Sequence, residues 1–262
     1  MILRQFLHQA LVAVSYLLGC VGKGAGAVID PVFPVEPYLQ AAEVLVTPIR
    51  YVIDTHLHAD HLSAGRALAE AAGATYVLHE SAQATFAFQA ARDGETLSLG
   101  NVELSVLHTP GHTPEHLSLL VTDKTRAPEP WALLSGHTLM VGDVGRTELA
   151  SDAASGARTL FASLGQLKAL PDHLEILPGA LAGSVCGRGL SGKPFSTIGF
   201  ERRFNEAFAM AEEEAFVNPL TTLPKAVLAR AGRVGCGECA VDAEHDIDVV
   251  LVDLDPLDQG AD

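Results

Sequence analysis

The sequence predicts an α/β fold with two β-sheets and helices on their outer faces. Two observations carry this. Short apolar runs alternate with segments whose apolar residues recur at helical spacing, and the strand-like runs first follow one another directly and are then separated by helices. The composition supplies the material. Of 262 residues, 48% are hydrophobic and 19% charged, which is enough for one sizeable core with a small appendage and too apolar for a disordered polymer.

In chain order, residues 3–6 and 12–18 read as two strands followed by a turn with Gly22, Gly24 and Gly26. Residues 27–29 read as a strand ending at Asp30-Pro31, residues 36–46 as a helix, and residues 51–53 as a buried strand that runs into Asp54-Thr55. The Ala-rich stretch 62–71 predicts a helix terminated by Gly73, whose missing Cβ suits a left-handed cap. Residues 75–78 predict a strand and 81–91 a helix; 97–99, 102–107, 117–121 and 131–135 follow as strands. A helix over 154–170, a short strand over 175–177 and one helix over 198–216 come next, the last with a charged face that includes Glu201, Arg202, Arg203 and Glu206. A short helix over 224–231 leads into an acidic end containing Asp248, Asp253, Asp255, Asp258 and Asp262. There is no internal repeat, and no linker long enough to separate two full domains.

Charge and cysteine usage exclude several function classes. Seventeen basic against 32 acidic residues give a formal net charge of −15, which argues against a nucleic-acid partner because phosphate binding needs a basic face. Four cysteines are too few for a disulfide scaffold. Cys20 and Cys186 are isolated in sequence, and Cys236 and Cys239 form one Cys-Gly-Glu-Cys with no second pair beside it. No stretch approaches the roughly 20 apolar residues of a membrane span. The N-terminal apolar run is interrupted by Ser15 and Tyr16, unlike a signal peptide, and Leu17-Leu18-Gly19-Cys20 reads better as a strand end than as a lipoprotein cleavage site. The expectation is a cytoplasmic protein without a membrane partner; an assembly of several copies of the chain is compatible with the sequence.

Eleven histidines matter more than the net charge because of where they fall. Thr55-His56-Leu57-His58-Ala59-Asp60-His61 places four metal-ligating side chains within six residues, directly after a buried strand. A strand end followed by a loop lets such side chains converge, and imidazole with a carboxylate suits zinc or iron. His79, His108 and His116 read as supporting or structural residues, and His8, His173 and His245 as surface residues without partners.

His-x-His-x-Asp-His is also the signature of the metallo-β-lactamase superfamily, which this chain resembles. His108-Thr109-Pro110-Gly111-His112-Thr113 resembles the family's next ligand loop, with His112 at the ligand position. Gly142 to Leu149, Gly183-Ser184-Val185-Cys186-Gly187-Arg188 and Ser196 to Asn205 resemble segments of the persulfide dioxygenase and glyoxalase II branch, in particular the bacterial dioxygenases often fused to rhodanese domains. The resemblance covers about residues 1–216, leaving 217–262 as a C-terminal extension. It implies an αββα sandwich with a metal site at one edge, between the two sheets.

Two family ligands are replaced. Gly136-His137-Thr138-Leu139 stands where the family has Gly-Asp-Thr-Leu, so the bridging Asp has become His137. Pro178-Gly179-Ala180-Leu181 stands where the family has Pro-Gly-His-Gly, so the last histidine ligand has become Ala180. In dinuclear members the resemblance assigns the first metal to the equivalents of His56, His58 and His112. The second takes Asp60, His61 and the lost histidine. With only Asp60 and His61 left and no anionic bridge, the expectation is one divalent ion, Fe(II) favoured and Zn(II) the alternative. In the dioxygenase branch the single iron takes the equivalents of His56 and His112 and the carboxylate now replaced by His137. His137 is then either a third imidazole ligand or a non-ligand filling the site.

Three functions follow from the resemblance. The first is oxidation of glutathione persulfide, a thiol-derived small molecule, to sulfite at a mononuclear iron. Arg146 and Arg202 match positions near that substrate and are read either as binding its carboxylates or as ordinary salt-bridging residues. The second is a glyoxalase II-like hydrolysis in which metal-bound water is activated, with Asp60 and His61 as catalytic residues. The third is a catalytically impaired chain that acts as a binding protein.

Overall fold

The structure, a computed structural model, describes residues 1–148 and 152–221, without the side chains of 219–221. Alternation along the strands sorts their side chains into three apolar layers. One six-stranded sheet has the order β1 (Ile2–His8), β2 (Ala13–Cys20), β3 (Ala25–Ile29), β4 (Ile49–Ile53), β5 (Thr75–His79), β6 (Gln89–Ala91). Its first two pairings are antiparallel and the remaining three parallel. The second sheet runs from β7 (Thr96–Leu99) through β8 (Val102–His108), β9 (Leu117–Asp123), β10 (Ala132–Gly136) and β11 (Glu175–Pro178) to β12 (Ser196–Thr197), with only β10 and β11 parallel.

The facing sides of the sheets bury Leu18, Ala27, Ile29 and Ile53 against Leu104, Leu119 and Leu134. The neighbours one position along point outward. Leu17, Val28 and Val52 pack under Tyr38 and Ala41 of α1 (Glu36–Val44) and Leu68 of α2 (Gly65–Ala72). Leu133 and Ile176 pack under Leu160, Leu164 and Leu167 of α3 (Ala153–Lys168), Phe208 of α5 (Glu206–Ala209) and Phe216 of α6 (Glu213–Thr221). Each such side chain contributes roughly 1.5–3 kcal/mol on burial. The result is the αββα sandwich expected from the sequence. No helix among the described residues is long and apolar enough to cross a membrane.

Local chemistry sets several element ends. Gly73 ends α2 in the left-handed conformation at φ 61°. The Asp152 carboxylate accepts from the amides of Ala154 and Ser155 and starts α3. The Thr197 hydroxyl accepts from Phe200 N–H and starts α4 (Ile198–Phe204).

Three expectations are corrected. Residues 81–91 are not a helix: after a turn, Gln89–Ala91 forms β6, parallel to β5, and Phe86 and Phe88 pack into the outer layer. The single helix over 198–216 is three short helices, because the fully buried Asn205 adopts an extended backbone (φ −87°, ψ 109°). Its side-chain amide donates to the carbonyl of Asp143 (3.1 Å) and to Glu201 Oε2 (3.0 Å), and its side-chain oxygen starts α5. His8 is not an isolated surface residue: its Nε2 lies 2.9 Å from Ser15 Oγ and 3.1 Å from the Tyr38 hydroxyl. α6 runs through the expected boundary at residue 216, and its own Phe216 and Val217 are buried in the layer with α3 and α5. The helix expected over 224–231, Cys236, Cys239 and the acidic end lie outside the described residues.

Candidate metal centre

The histidines gather where strands of both sheets end, the usual place for a ligand in layered α/β folds. His56 follows β4, His112 follows β8 and His137 follows β10. The two sheets are tied at this edge by Leu117 N–H donating to the Thr55 carbonyl at 2.8 Å. The backbone packs too closely here for ordinary side chains. A Cβ on Gly136 (φ +50°) would lie 2.5 Å from His116 Nε2, and one on Gly145 would lie 2.3 Å from the His137 carbonyl. Glycine is therefore required both at 136, directly before His137, and at 145, which packs against the His137 carbonyl.

His56, His112 and His137 are buried, and their ligand atoms lie within 4.8 Å of one another. Hydrogen bonding fixes two tautomers. The Thr55 hydroxyl donates to Asp30 Oδ2 (2.9 Å), so His56 Nδ1–H must donate to Thr55 Oγ1 (2.9 Å), which leaves Nε2 bare. His112 Nδ1–H donates to the Arg146 carbonyl (2.7 Å), so its Nε2 is bare too. His112 Nε2 lies 3.2 Å from His137 Nδ1. Two nitrogens bound at about 2.1 Å to one tetrahedral ion are about 3.4 Å apart, so this pair is already at ligand spacing.

Burial, followed by the neighbouring imidazoles, holds His56 well below its usual pKa. Burial likewise moves His112 to about 3 and His137 to about 4, so all three are neutral near pH 7. His56 Nε2 and His137 Nε2 are buried without a hydrogen-bond partner. An unpaired buried nitrogen costs free energy, and a bound cation removes that cost, so these residues fit a metal ion.

His58, Asp60 and His61 form a second group whose ligand atoms also lie within 4.8 Å of one another. His58 Nε2 is 3.3 Å and Nδ1 3.7 Å from the carboxylates of Asp30 and Asp60, and His61 Nδ1 is 3.0 Å from Asp60 Oδ1. Burial opposes a charge on His58, but the hydrogen bonds and charges of Asp30, Asp60 and Asp54 outweigh it and raise its pKa well above the usual value. A metal at His58 competes with that proton. Asp60 is held well below the usual carboxylate range: burial acts against this, and His58 and His61 overcome it. Asp30, at a left-handed φ of 48°, also accepts from Thr55 N–H at 2.6 Å, so one carboxylate orients both histidine groups.

The two arginines have internal partners. Arg146 is buried, with Nε 2.8 Å from Glu148 Oε1 and Nη1 donating to the Val185 carbonyl. Arg202 pairs with Asp172 and donates to the carbonyls of Lys168 and Leu170 at the end of α3. His116 is used up: Nε2 accepts from His137 N–H, and Nδ1 faces the hydroxyls of Thr109 and Thr138. His79 and His108 stack on each other with centroids 3.9 Å apart.

The residue that sequence reasoning missed is Cys186. Its thiol is buried 3.6 Å from Asp60 Oδ2, and Asp60, His137 and Cys186 form a further group of potential ligands within 4.8 Å. Only the family segment around it pointed there, since Cys186 is 49 residues from His137 and 126 from Asp60.

Comparison with known proteins agrees with the fold. The family profile described as "Metallo-beta-lactamase superfamily" matches residues 9–179. A solved structure of a metallo-beta-lactamase from Staphylococcus aureus subsp. aureus COL superposes with a TM-score of 0.80 at 33% identity, over 89% of this chain and 71% of that one. The human mitochondrial persulfide dioxygenase ETHE1 is 27% identical over 218 residues, 81% of this chain and 78% of that protein. A hydroxyacylglutathione hydrolase of Polaromonas sp. (strain JS666 / ATCC BAA-500) is 33% identical over 169 residues, 63% of this chain and 60% of that protein. The chain spans about two thirds, 60 to 67%, of the length of this hydrolase and similar curated relatives.

Proposed function

Because the chain belongs to the metallo-beta-lactamase superfamily, whose members are mostly metal-dependent hydrolases or oxygenases, we propose that it is a persulfide dioxygenase-like enzyme. In this reading one divalent ion, Fe(II) in preference to Zn(II), is held by His56, His112 and His137, and the substrate is a thiol-derived small molecule of the glutathione persulfide class. The observation that carries the reading is the convergence of three neutral imidazoles whose ligand atoms lie within 4.8 Å of one another. A three-histidine set is acceptable to Fe(II). The similarity to ETHE1 over 81% of the chain supports the same class.

When bound, such an ion supplies open positions at which a sulfur and dioxygen can meet. The chain's own residues do the rest. The Asp30–Thr55 pair holds the His56 ring with Nε2 inward, and the Arg146 carbonyl does the same for His112. Asp60, ionised and lying beside His58 and His61, accepts a hydrogen bond from the persulfide or from water and orients it. The overall reaction consumes one dioxygen and one water, oxidises the outer sulfur to sulfite, and releases the thiol and two protons. Arg146, whose Nη2 is buried without a hydrogen-bond partner, is the better placed of the two arginines to meet a substrate carboxylate.

A hydrolytic reading is favoured by one observation: the ionised Asp60 between His58 and His61 is suited to orient a water. Iron analysis combined with oxygen uptake on glutathione persulfide, run beside a hydroxyacylglutathione thioester assay, separates the two. Iron bound at the histidines with oxygen consumption is expected. Thioester turnover without oxygen uptake would transfer the chain to the hydrolases, and neither activity would leave the binding-protein reading.

A further inference from the structure

We propose that Ser15, Tyr38 and His8 are positioning residues for the metal centre: together they clamp the backbone of Asp30, and through it they fix the carboxylate that orients Thr55, His56 and His58. The proposal rests on the metal-centre reading above and adds to it three residues from β1, β2 and α1, outside the histidine groups.

Asp30 needs such a clamp. It follows β3 at φ 48°, a left-handed conformation that a residue other than glycine keeps only when its surroundings enforce it. Its carboxylate must still meet the end of β4, where it accepts from Thr55 N–H (2.6 Å) and Thr55 Oγ1 (2.9 Å) and lies 3.3 Å from His58 Nε2. Part of the turn is held by backbone alone. Asp30 N–H donates to the Ile53 carbonyl, and the Pro31 carbonyl accepts from Ala64 N–H, both at 2.9 Å. The Asp30 carbonyl and the Val32 amide go to side chains instead. Ser15 Oγ donates to the Asp30 carbonyl at 2.6 Å, and the Tyr38 hydroxyl accepts from Val32 N–H at 2.9 Å.

One proton arrangement satisfies the cluster. Ser15 has a single proton, and the Asp30 carbonyl takes it. Ser15 Oγ is then the acceptor for the Tyr38 hydroxyl at 3.0 Å and for His8 Nε2 at 2.9 Å. His8 must therefore carry a proton on Nε2, which also lies 3.1 Å from the Tyr38 hydroxyl. Burial raises the Tyr38 hydroxyl above its usual pKa, so it keeps the proton it shares with Ser15. Two donors on one hydroxyl polarise it and strengthen its bond to Asp30. Ser15 and Tyr38 are fully buried, so water does not compete for these bonds. Three separate elements deliver the groups. His8 and Ser15 lie diagonally across the β1–β2 hairpin, where His8 pairs with Ala13 and Phe6 with Ser15. Tyr38 comes from the first turn of α1 and packs on Phe6 with ring centroids 4.7 Å apart.

The test compares the full chain with Tyr38→Phe and Ser15→Ala. Each is read twice: by ring-nitrogen NMR shifts of the histidines in metal-free protein, and by Co(II) affinity from the visible d–d bands. In the parent, His56 is expected as the single Nδ1–H tautomer. Either variant should mix the two His56 tautomers and weaken cobalt binding by about 10-fold or more, the size typical of partners behind a ligand. His8→Leu should act in the same direction, and His8→Gln, whose amide can replace the Nε2–H donor, should return toward the parent. That half-buried pair serves if a variant at a fully buried position fails to fold. A lowered Tm with His56 tautomer and cobalt affinity unchanged would reduce the cluster to a structural role and overturn the proposal. Equal losses in His8→Leu and His8→Gln would overturn the part assigned to His8. No cobalt bands in the parent would overturn the metal-centre reading instead, and the clamp would then be decided by the His56 tautomer alone.

Discussion

His56 and His58 stand two residues apart in one loop, and both are buried, yet they end in opposite electrostatic states. His56 faces a hydroxyl and four other imidazoles, and burial keeps it neutral with one nitrogen bare. His58 faces the carboxylates of Asp30, Asp54 and Asp60, and they keep a proton on it. Burial penalises charge in both places, so the partner decides. Histidine identity alone does not make a ligand, and a loop can alternate metal-ready and charge-paired positions with a period of two.

The contrast can be broken first at Asp30, the residue common to both sides. Asp30→Ala removes the acceptor of Thr55 and the partner of His58. It should cost about 3–5 kcal/mol of stability in urea unfolding, as for other buried pairs left half-made; a loss below about 1 kcal/mol would mean that the network is not held by that carboxylate. Next comes the metal-ready side. His112→Ala should lower affinity for Zn(II) or Fe(II) by more than about 100-fold in a chelator competition, against about 10-fold for Thr55→Ala, which only frees the His56 tautomer. Equal effects would place Thr55 among the ligands' essential supports.

The pH dependence separates the two sides in sign. His112 and His137 have folded pKa values of about 3 and about 4, below their unfolded value of 6.5, so the unfolded chain binds more protons between these limits. Metal-free protein should lose stability as pH falls from 6.5 toward 4, by roughly 2 kcal/mol per histidine at pH 5. His58 acts oppositely. Its folded pKa is raised, so its contribution is complete below 6.5 and is lost as pH rises through the folded value. His137→Gln should therefore flatten the acid arm and His58→Gln the alkaline arm of a plot of urea midpoint against pH; the reverse assignment would invert the comparison. The smallest effect belongs outside both groups. Arg202→Ala removes a partly exposed pair and should cost about 1 kcal/mol or less with KM unchanged, and a raised KM would restore Arg202 to the substrate site.

Much of the sandwich was legible because strands buried on both faces read as short continuous apolar runs: in β2, Leu17 packs in the outer layer and Leu18 in the inner one. The failures have physical causes. Residues 81–91 are rich in alanine and so favour helix locally, but the open edge of β5 recruits Gln89–Ala91 as a strand. Asn205 interrupts the helix over 198–216 because the carbonyls of Met140 and Asp143 compete with Glu201 for its amide, and those two carbonyls lie far outside a local window. At the site, the His-x-His-x-Asp-His run announced its chemistry by spacing alone. Which of those histidines keeps a proton depends on Asp30 and Asp54, and the arrival of Cys186 depends on a loop closure that sequence separation hides.

Ala180 has a consequence of a different kind. It is almost fully buried and bridges to Ala13, while the flanking Gly179 carbonyl and Leu181 amide bond to Val14 and Val12. The position where the family resemblance leads one to expect an imidazole is thus closed into a short ladder with the N-terminal hairpin. Restoring a histidine there would overpack a filled space, at a typical cost of about 1–3 kcal/mol. A histidine therefore cannot be placed here by one neutral substitution, because the hairpin would have to move to admit the ring.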